Sequence, residues 1–174
     1  MQYIDEALVK VIWMKLSAQP PEDTLASMQR FREEQEPLFV RLTAELGETY
    51  SETALEILLY LAVTVYQVVA WRRLPKGPLP LPMIDDAMVH RCGEKRAGTV
   101  GAYLGGKQAQ AEDLGDALES LVDRFELPQL SLLGHATEGL LAAHEDGDLT
   151  RAEVEASFVR ILILLDGLDR VVKS

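Results

Sequence analysis

Cysteine is nearly absent from this chain of 174 residues, and aromatic residues make up only 6% of it. Since the single cysteine, Cys92, cannot form an intrachain disulfide, the composition fits a reducing compartment. The first six residues also lack the basic segment that begins a signal peptide. We therefore expect a cytoplasmic protein.

The chain also lacks long runs in which apolar and polar residues alternate, and it lacks long uninterrupted apolar runs. No segment alternates apolar and polar residues over the length of a strand, so the sequence predicts no β-sheet. The longest apolar run, residues 57–71, contains Thr64 and Gln67 and is shorter than the roughly 20 residues that a bilayer span needs. We expect an all-α protein that does not cross a membrane.

Negative charge dominates the chain, but its distribution is uneven. The net charge is −11, yet residues 71–108 contain seven lysines and arginines against three acidic residues. The acidic remainder argues against nucleic-acid binding by the whole protein, because phosphate contacts supply most of that affinity. An anion- or partner-binding patch is predicted at Arg91, Lys95, Arg96 and Lys107. For these residues we favour charge balance with the acidic parts of the same molecule.

Apolar residues recur at helical spacing in eight segments, which prolines, glycines and capping residues separate. In the first segment, Val11 belongs to the apolar stripe. The fifth helix is expected to run to about Arg96, and its continuation is left open because the glycines around and beyond this point weaken a helix. Thr150 and Glu153 form a capping box at the start of the eighth. The predicted helices cover approximately residues 4–16, 25–36, 37–46, 51–71, 85–96, 114–125, 128–141 and 150–172.

Two of these helices begin with matching sequences. When Ser51 is aligned with Thr150, Glu56 falls on Glu155, and apolar positions coincide along the turns that follow. The match predicts an internal duplication in a single domain, arranged as an α-solenoid-like stack or a helical bundle. The two three-helix units are 22–72 and 109–172, and the connector, rich in proline and glycine, is 73–108.

Polar residues repeat along the same two helices. Glu56 and Gln67 lie about three helical turns apart and therefore share a face, and Glu155 and Asp166 repeat that spacing. If the helices pack about a pseudo-twofold axis with these faces inward, the four side chains form a polar cluster for a ligand or a metal. The commoner alternative is that each pair lies on a solvated face, with Asp166 near Arg170.

Catalytic and cofactor-binding motifs are incomplete. Residues 101–107 match part of a phosphate-binding loop, but Gln108 replaces the serine or threonine that holds Mg²⁺, and no strand is predicted before it. His135 and Glu138 have the spacing of metal ligands on a helix but stand alone. We therefore assign no catalytic residue, no cofactor and no metal ligand.

The fourth predicted helix is apolar on more than one side, as Leu58, Leu61 and Val65 illustrate. Such a helix must be buried from several directions, which in a short chain favours a homodimer through residues 54–71. The sequence thus predicts a non-enzymatic scaffold or adaptor that binds a protein partner or itself. Two alternatives remain: a ligand- or metal-binding protein that uses the carboxylates, and a regulator that binds nucleic acid through the basic middle segment.

Overall fold

The computed structural model of the chain describes residues 4–44, 50–71, 81–104, 113–122 and 129–173. In these ranges it contains eight helices and no strand, so the predicted all-α class is confirmed. The helices are α1 (Glu6–Ser17), α2 (Pro21–Glu34), α3 (Glu36–Thr43), α4 (Glu52–Ala70), α5 (Asp86–Leu104), α6 (Leu114–Val122), α7 (Leu130–Glu145) and α8 (Arg151–Lys173).

Local sequence explains where several helices begin and end. The Asp5 carboxylate accepts a hydrogen bond from an amide in the first turn of α1, and the Ser51 hydroxyl does the same for α4. Pro21 and Pro37 occupy first-turn positions of α2 and α3, where a missing amide hydrogen costs nothing. Gly147 turns the chain between α7 and α8 at a φ of 84°, a conformation that favours glycine.

Helices α4 and α8 lie at the centre of the fold. Helix α4 packs against α1, α2, α7 and α8, and α8 packs against α3, α4, α5 and α7. The fully buried side chains of α4 include Leu58, Val65 and Val68. By length and composition α4 could cross a membrane, but 61% of its most apolar window is buried inside the fold. Its apolar character is therefore that of a core helix.

Glu153 joins the starts of α4 and α8. One carboxylate oxygen accepts a hydrogen bond from the Ser51 amide at 2.9 Å, and the other accepts from the Thr150 amide and hydroxyl, both at 2.8 Å. The Glu153 amide donates to the Thr150 hydroxyl at 3.3 Å, which confirms the predicted capping box. The amides of Ser51 and Thr150 lower the pKa of Glu153 to about 2.

The packing agrees with an internal duplication in one respect and differs in another. Helix α3 corresponds to α7, and α4 corresponds to α8. Helix α3 packs on α8 and α7 packs on α4, as expected for two copies related by a pseudo-twofold axis. Within the first unit, however, α2 contacts both of the other helices, whereas in the second unit α7 does so. The surroundings of corresponding helices therefore differ, and the duplication stays a prediction from the sequence.

Helix α5 lies inside the segment 73–108 that was predicted as a connector. It continues past Arg96 to Leu104 and buries Val89, Cys92 and Val100. It packs against α8, α3 and α6, so residues 86–104 belong to the core. Burial of one apolar face compensates for the weak helix propensity of the glycines. Residues 73–80 of the connector lie outside the described residues.

Candidate functional site

The four residues of the predicted polar cluster have different surroundings. Glu56 is exposed on α4, and the Glu155 carboxylate accepts a hydrogen bond from the Arg151 guanidinium at 2.9 Å on α8. Gln67 lines a cleft at the end of α4, and Asp166 is buried on another side of the fold. No hydrogen bond or ion pair among the described residues joins any two of the four. The four side chains therefore do not line one common pocket, although each pair has the same spacing along its helix.

Asp166 is buried between α8 and α5. Its Oδ1 accepts a hydrogen bond from the Arg96 guanidinium at 3.1 Å, and its Oδ2 lies 3.8 Å from the Arg170 guanidinium. Burial, together with the negative charge of Asp166, raises the pKa of the Cys92 thiol to about 11. This interface thus encloses an ion pair beside a neutral thiol, which is poorly suited to nucleophilic chemistry.

The predicted basic patch is divided by the fold. Arg91 and Lys95 are exposed on α5, whereas Arg96 is buried against Asp166. Lys107 lies outside the described residues. Arg96 is therefore not part of an exposed patch, and its ion pair with Asp166 agrees with the expected charge balance within the molecule. Of the four residues of the predicted patch, Arg91 and Lys95 are therefore the two that the structure describes as exposed.

His135 contacts side chains of two helices. Its Nδ1 lies 3.2 Å from a carboxylate oxygen of Glu138, and its ring centroid lies 5.8 Å from that of Trp13. The contact joins α7 to α1. Among the described residues, no group of three or more histidine, cysteine, aspartate or glutamate side chains is arranged to hold a metal ion.

A cleft of about 170 Å³ lies between α1, α2 and the end of α4. Its walls are mainly apolar and include the Trp71 indole together with a few polar and charged side chains. This combination of apolar walls and a few convergent polar groups is typical of binding sites. The lining residues are Val11, Ile12, Lys15, Leu16, Gln19, Ser27, Arg30, Gln67, Ala70 and Trp71.

The two cations of the cleft are held differently. The Lys15 ammonium lies over the Trp71 ring, 4.6 Å from its centroid, in a cation–π contact. The Arg30 guanidinium pairs with Glu34 at 2.6 Å, and Glu34 also accepts a hydrogen bond from Tyr66. The charge of Arg30 is therefore compensated locally. No carboxylate of the described residues lies within ion-pair distance of Lys15.

An exposed apolar stripe runs along α1 beside the cleft. It consists of Ala7, Val11, Met14 and Ala18, which recur at intervals of three and four residues and share one face. Val11 is 59% exposed and Met14 is 64% exposed, and Val11 also lines the cleft. Assignment of Val11 to the buried face of the first helix was therefore wrong. The stripe and the cleft form one continuous surface.

A second cleft, of about 200 Å³, lies between α6 and α7. Glu119 and Glu138 contribute to its walls together with Val122 and Leu141. The six residues that line it include no lysine, arginine or aromatic side chain. It therefore offers a partner fewer kinds of contact than the cleft beside α1.

The sequence contains a signal for the α1 surface that helical periodicity alone does not reveal. Helix α1 carries apolar residues on more than one side, because Trp13 and Met14 follow directly after the buried Ile12. Only one of those sides can face the core of a small protein. Which of them it is depends on where α4 and α7 pack, and this information is not local.

Comparison with known proteins provides no homologue for this surface. No family model matches the chain, and no curated protein or solved structure shows a significant match. The cleft and the stripe are therefore interpreted from their chemistry alone.

Proposed function

We propose that this chain is a non-enzymatic adaptor or scaffold that binds a protein partner through the exposed stripe of α1 and the adjoining cleft. The observation that carries the proposal is the continuity of the two features. Exposed apolar residues that occur singly are normal on protein surfaces, but a row of them beside an apolar cleft is typical of a contact surface.

Val11 and Met14 would contribute most of the apolar contact. Both are more than half exposed, and both lie on the same face of α1. Covering a large apolar side chain contributes about 1.5–3 kcal/mol when burial is complete. Together with the indole of Trp71, these side chains would form the apolar centre of an interface, surrounded by Lys10, Lys15 and Ser17.

The α1 surface replaces helix 54–71 as the proposed contact. The apolar faces of α4 that led to the expectation of a homodimer are covered by α1, α2, α7 and α8 of the same chain. Self-association through α4 would require these helices to separate. No large apolar side chain of α4 is exposed, so a second copy of the chain would find little apolar surface there, and a different protein is the proposed partner at α1.

The two alternative functions have less support from the site. The carboxylates Glu155 and Asp166 are already paired with Arg151 and Arg96, so they are poorly placed to bind a ligand. Arg91 and Lys95 are exposed, but two cations can neutralise only a few phosphates of a nucleic acid, so they provide little binding affinity. A cytoplasmic location, supported by the single buried cysteine, is part of the same proposal.

A matched pair of variants tests this function. Val11→Glu introduces a charge into the proposed surface, whereas Val40→Glu introduces the same charge on α3 at a valine of similar exposure, 54%, that does not line the cleft. Affinity capture from the native cell, identification by mass spectrometry and titration with the purified partner would compare them. We expect the partner to bind wild type and Val40→Glu equally and Val11→Glu at least about tenfold more weakly.

Two outcomes would contradict the proposal. A partner that binds all three proteins equally does not use the α1 surface. A dimer in light scattering that Val11→Glu dissociates, and Val40→Glu does not, would make a second copy the occupant in place of a different protein.

A further inference from the structure

We infer that the cleft between α1, α2 and α4 receives one aromatic or large aliphatic side chain of the partner together with an adjacent carboxylate. The inference rests on the proposed function, since it specifies the chemistry of the partner at that surface. The size of the cleft, its apolar lining and the pairing of its two cations support this chemistry.

The size of the cleft limits what can enter it. Its volume of about 170 Å³ is close to that of an apolar cavity of about 150 Å³ that binds benzene. One ring or one branched aliphatic side chain therefore fills it, whereas a nucleotide-sized cofactor does not fit. Ile12, Leu16 and Ala70 provide the apolar contacts for such a group. This is the geometry of an anchor pocket at the centre of a protein interface.

Lys15 supplies the polar part of the recognition. Its ammonium lies on the Trp71 ring at the edge of the cleft, and the described carboxylates leave its charge uncompensated. Arg30 differs, because Glu34 already pairs with it. An incoming carboxylate would therefore pair with Lys15, whose ammonium can stay in contact with the indole. The geometry selects an acidic partner segment rather than a basic one.

Charge along α1 supports the same choice of partner. The chain as a whole carries −11, yet the exposed stripe is bordered by Lys10 and Lys15. The two flanks of the stripe thus carry positive side chains on an acidic molecule, with Glu6 one turn before Lys10 on the same helix. Electrostatic complementarity of this kind favours encounter with acidic segments and disfavours association between copies of the whole chain.

Two small probes test the inference without knowledge of the partner. N-acetyl-phenylalanine carries a ring next to a carboxylate, whereas N-acetyl-phenylalanine amide carries the same ring without the charge. Titration of each into the full chain, followed by NMR of the Trp71 indole, should show saturable binding of both. We expect the acid to bind about two- to fivefold more tightly, the range that an exposed ion pair provides.

Variants of Lys15 provide the control. Lys15→Met should bind both probes equally, and Lys15→Arg should keep the preference for the acid. Equal binding of the two probes to wild type, or binding that does not perturb Trp71, would overturn the inference.

The probes and the stripe variants separate the two proposals. If neither probe binds while Val11→Glu still removes the partner, the adaptor function stands and the anchor chemistry is wrong. If the probes bind as expected while no partner depends on Val11, the cleft has the inferred chemistry but the adaptor function is wrong.

Discussion

At the scale of single residues, several buried polar side chains are matched to donors or acceptors in distant parts of the chain. Gln35 lies between α2 and α3 and bonds to the backbone of residues 81–84, and the Gln129 amide oxygen accepts from the Ile4 amide. Glu153 and Asp166 are buried with donors of their own. Because an unsatisfied buried polar group costs about 1–3 kcal/mol, these contacts select one packing of the helices.

Glu153→Gln is expected to destabilise the fold by about 1–2 kcal/mol at neutral pH, because the charge-assisted bonds from Ser51 and Thr150 are weakened. Urea denaturation measures the change. Glu155→Gln is the matched control, since Glu155 is only partly buried and pairs with Arg151 on the same helix, so its loss should cost less than about 0.5 kcal/mol. Equal effects of the two substitutions would contradict a joining role for Glu153.

The same carboxylate makes stability depend on acidity. The pKa of Glu153 is lowered from 4.5 to about 2 in the folded chain, so its contribution is present above pH 4.5 and is lost as the pH falls towards 2. Denaturation curves between pH 6 and pH 2 should therefore converge for wild type and Glu153→Gln. A constant difference over that interval would show that ionisation of Glu153 is not involved.

The Arg96–Asp166 pair is expected to behave as a buried ion pair. Arg96→Met or Asp166→Leu alone should cost about 3 kcal/mol or more, because each leaves a buried charge without its partner, whereas the double substitution should cost less than the sum. Titration of Cys92 gives an independent measurement, since Asp166 helps to raise its pKa to about 11. The pKa of Cys92 should fall in Asp166→Leu, and additive energies with an unchanged pKa would contradict this account.

At the scale of helices, what surrounds each face decides its role more than its composition does. Helices α1 and α4 both carry apolar residues on several sides, but the apolar side chains of α4 are buried or half-buried, whereas Val11 and Met14 of α1 are exposed. Glycines show the same dependence on context. A Cβ at Gly134 of α7 would meet nothing within 4 Å, whereas one at Gly167 of α8 would lie 3.0 Å from Ile84 and 3.3 Å from Leu38.

Alanine substitutions at these two glycines should therefore have opposite effects. Gly134→Ala is expected to stabilise the chain by about 0.5–1 kcal/mol through helix propensity alone. Gly167→Ala gains the same propensity but pushes apart two buried side chains, and we expect a net loss of about 1 kcal/mol or more. Thermal denaturation of both variants measures the contrast. Stabilisation by Gly167→Ala would show that α8 can shift away from α3.

At the scale of the whole molecule, the two predicted units share one core. Helix α4 of the first unit packs on α7 and α8 of the second, and α5 lies between the units in sequence while packing on α8. The carboxylate of Glu153 connects the starts of α4 and α8. Neither unit therefore buries its apolar surface alone, although each was predicted as a three-helix copy.

We expect the chain to unfold in one cooperative transition. Circular dichroism and tryptophan fluorescence should give coincident denaturation curves, because the helices of both units are stabilised by the same contacts. A fragment of residues 1–71 should have little helical structure, since it lacks the α7 and α8 surfaces that cover α4. Two separate transitions, or a folded fragment, would instead support units that are stable independently.

The sequence predicted helices well and surfaces poorly, for a physical reason. Helical period, the Ser51 cap and the capping box of Thr150 with Glu153 are local, and all of them are found in the structure. The cleft consists of side chains from three helices, so no single segment contains its pattern. The expected polar cluster depended on one assumed packing of α4 against α8. Its members instead have separate surroundings, and one of them, Gln67, lies at the cleft.

What the sequence alone determined is the helical class and most helix boundaries, because hydrogen bonds within a helix and its caps involve neighbouring residues. Tertiary structure decided which apolar faces are covered, and therefore that α4 is a core helix while α1 presents Val11 and Met14 to solvent. It also decided that Arg96 compensates Asp166, while Lys15 at the cleft contacts Trp71 and has no described carboxylate within ion-pair distance. These outcomes depend on distances between residues far apart in the chain, which side-chain periodicity does not encode.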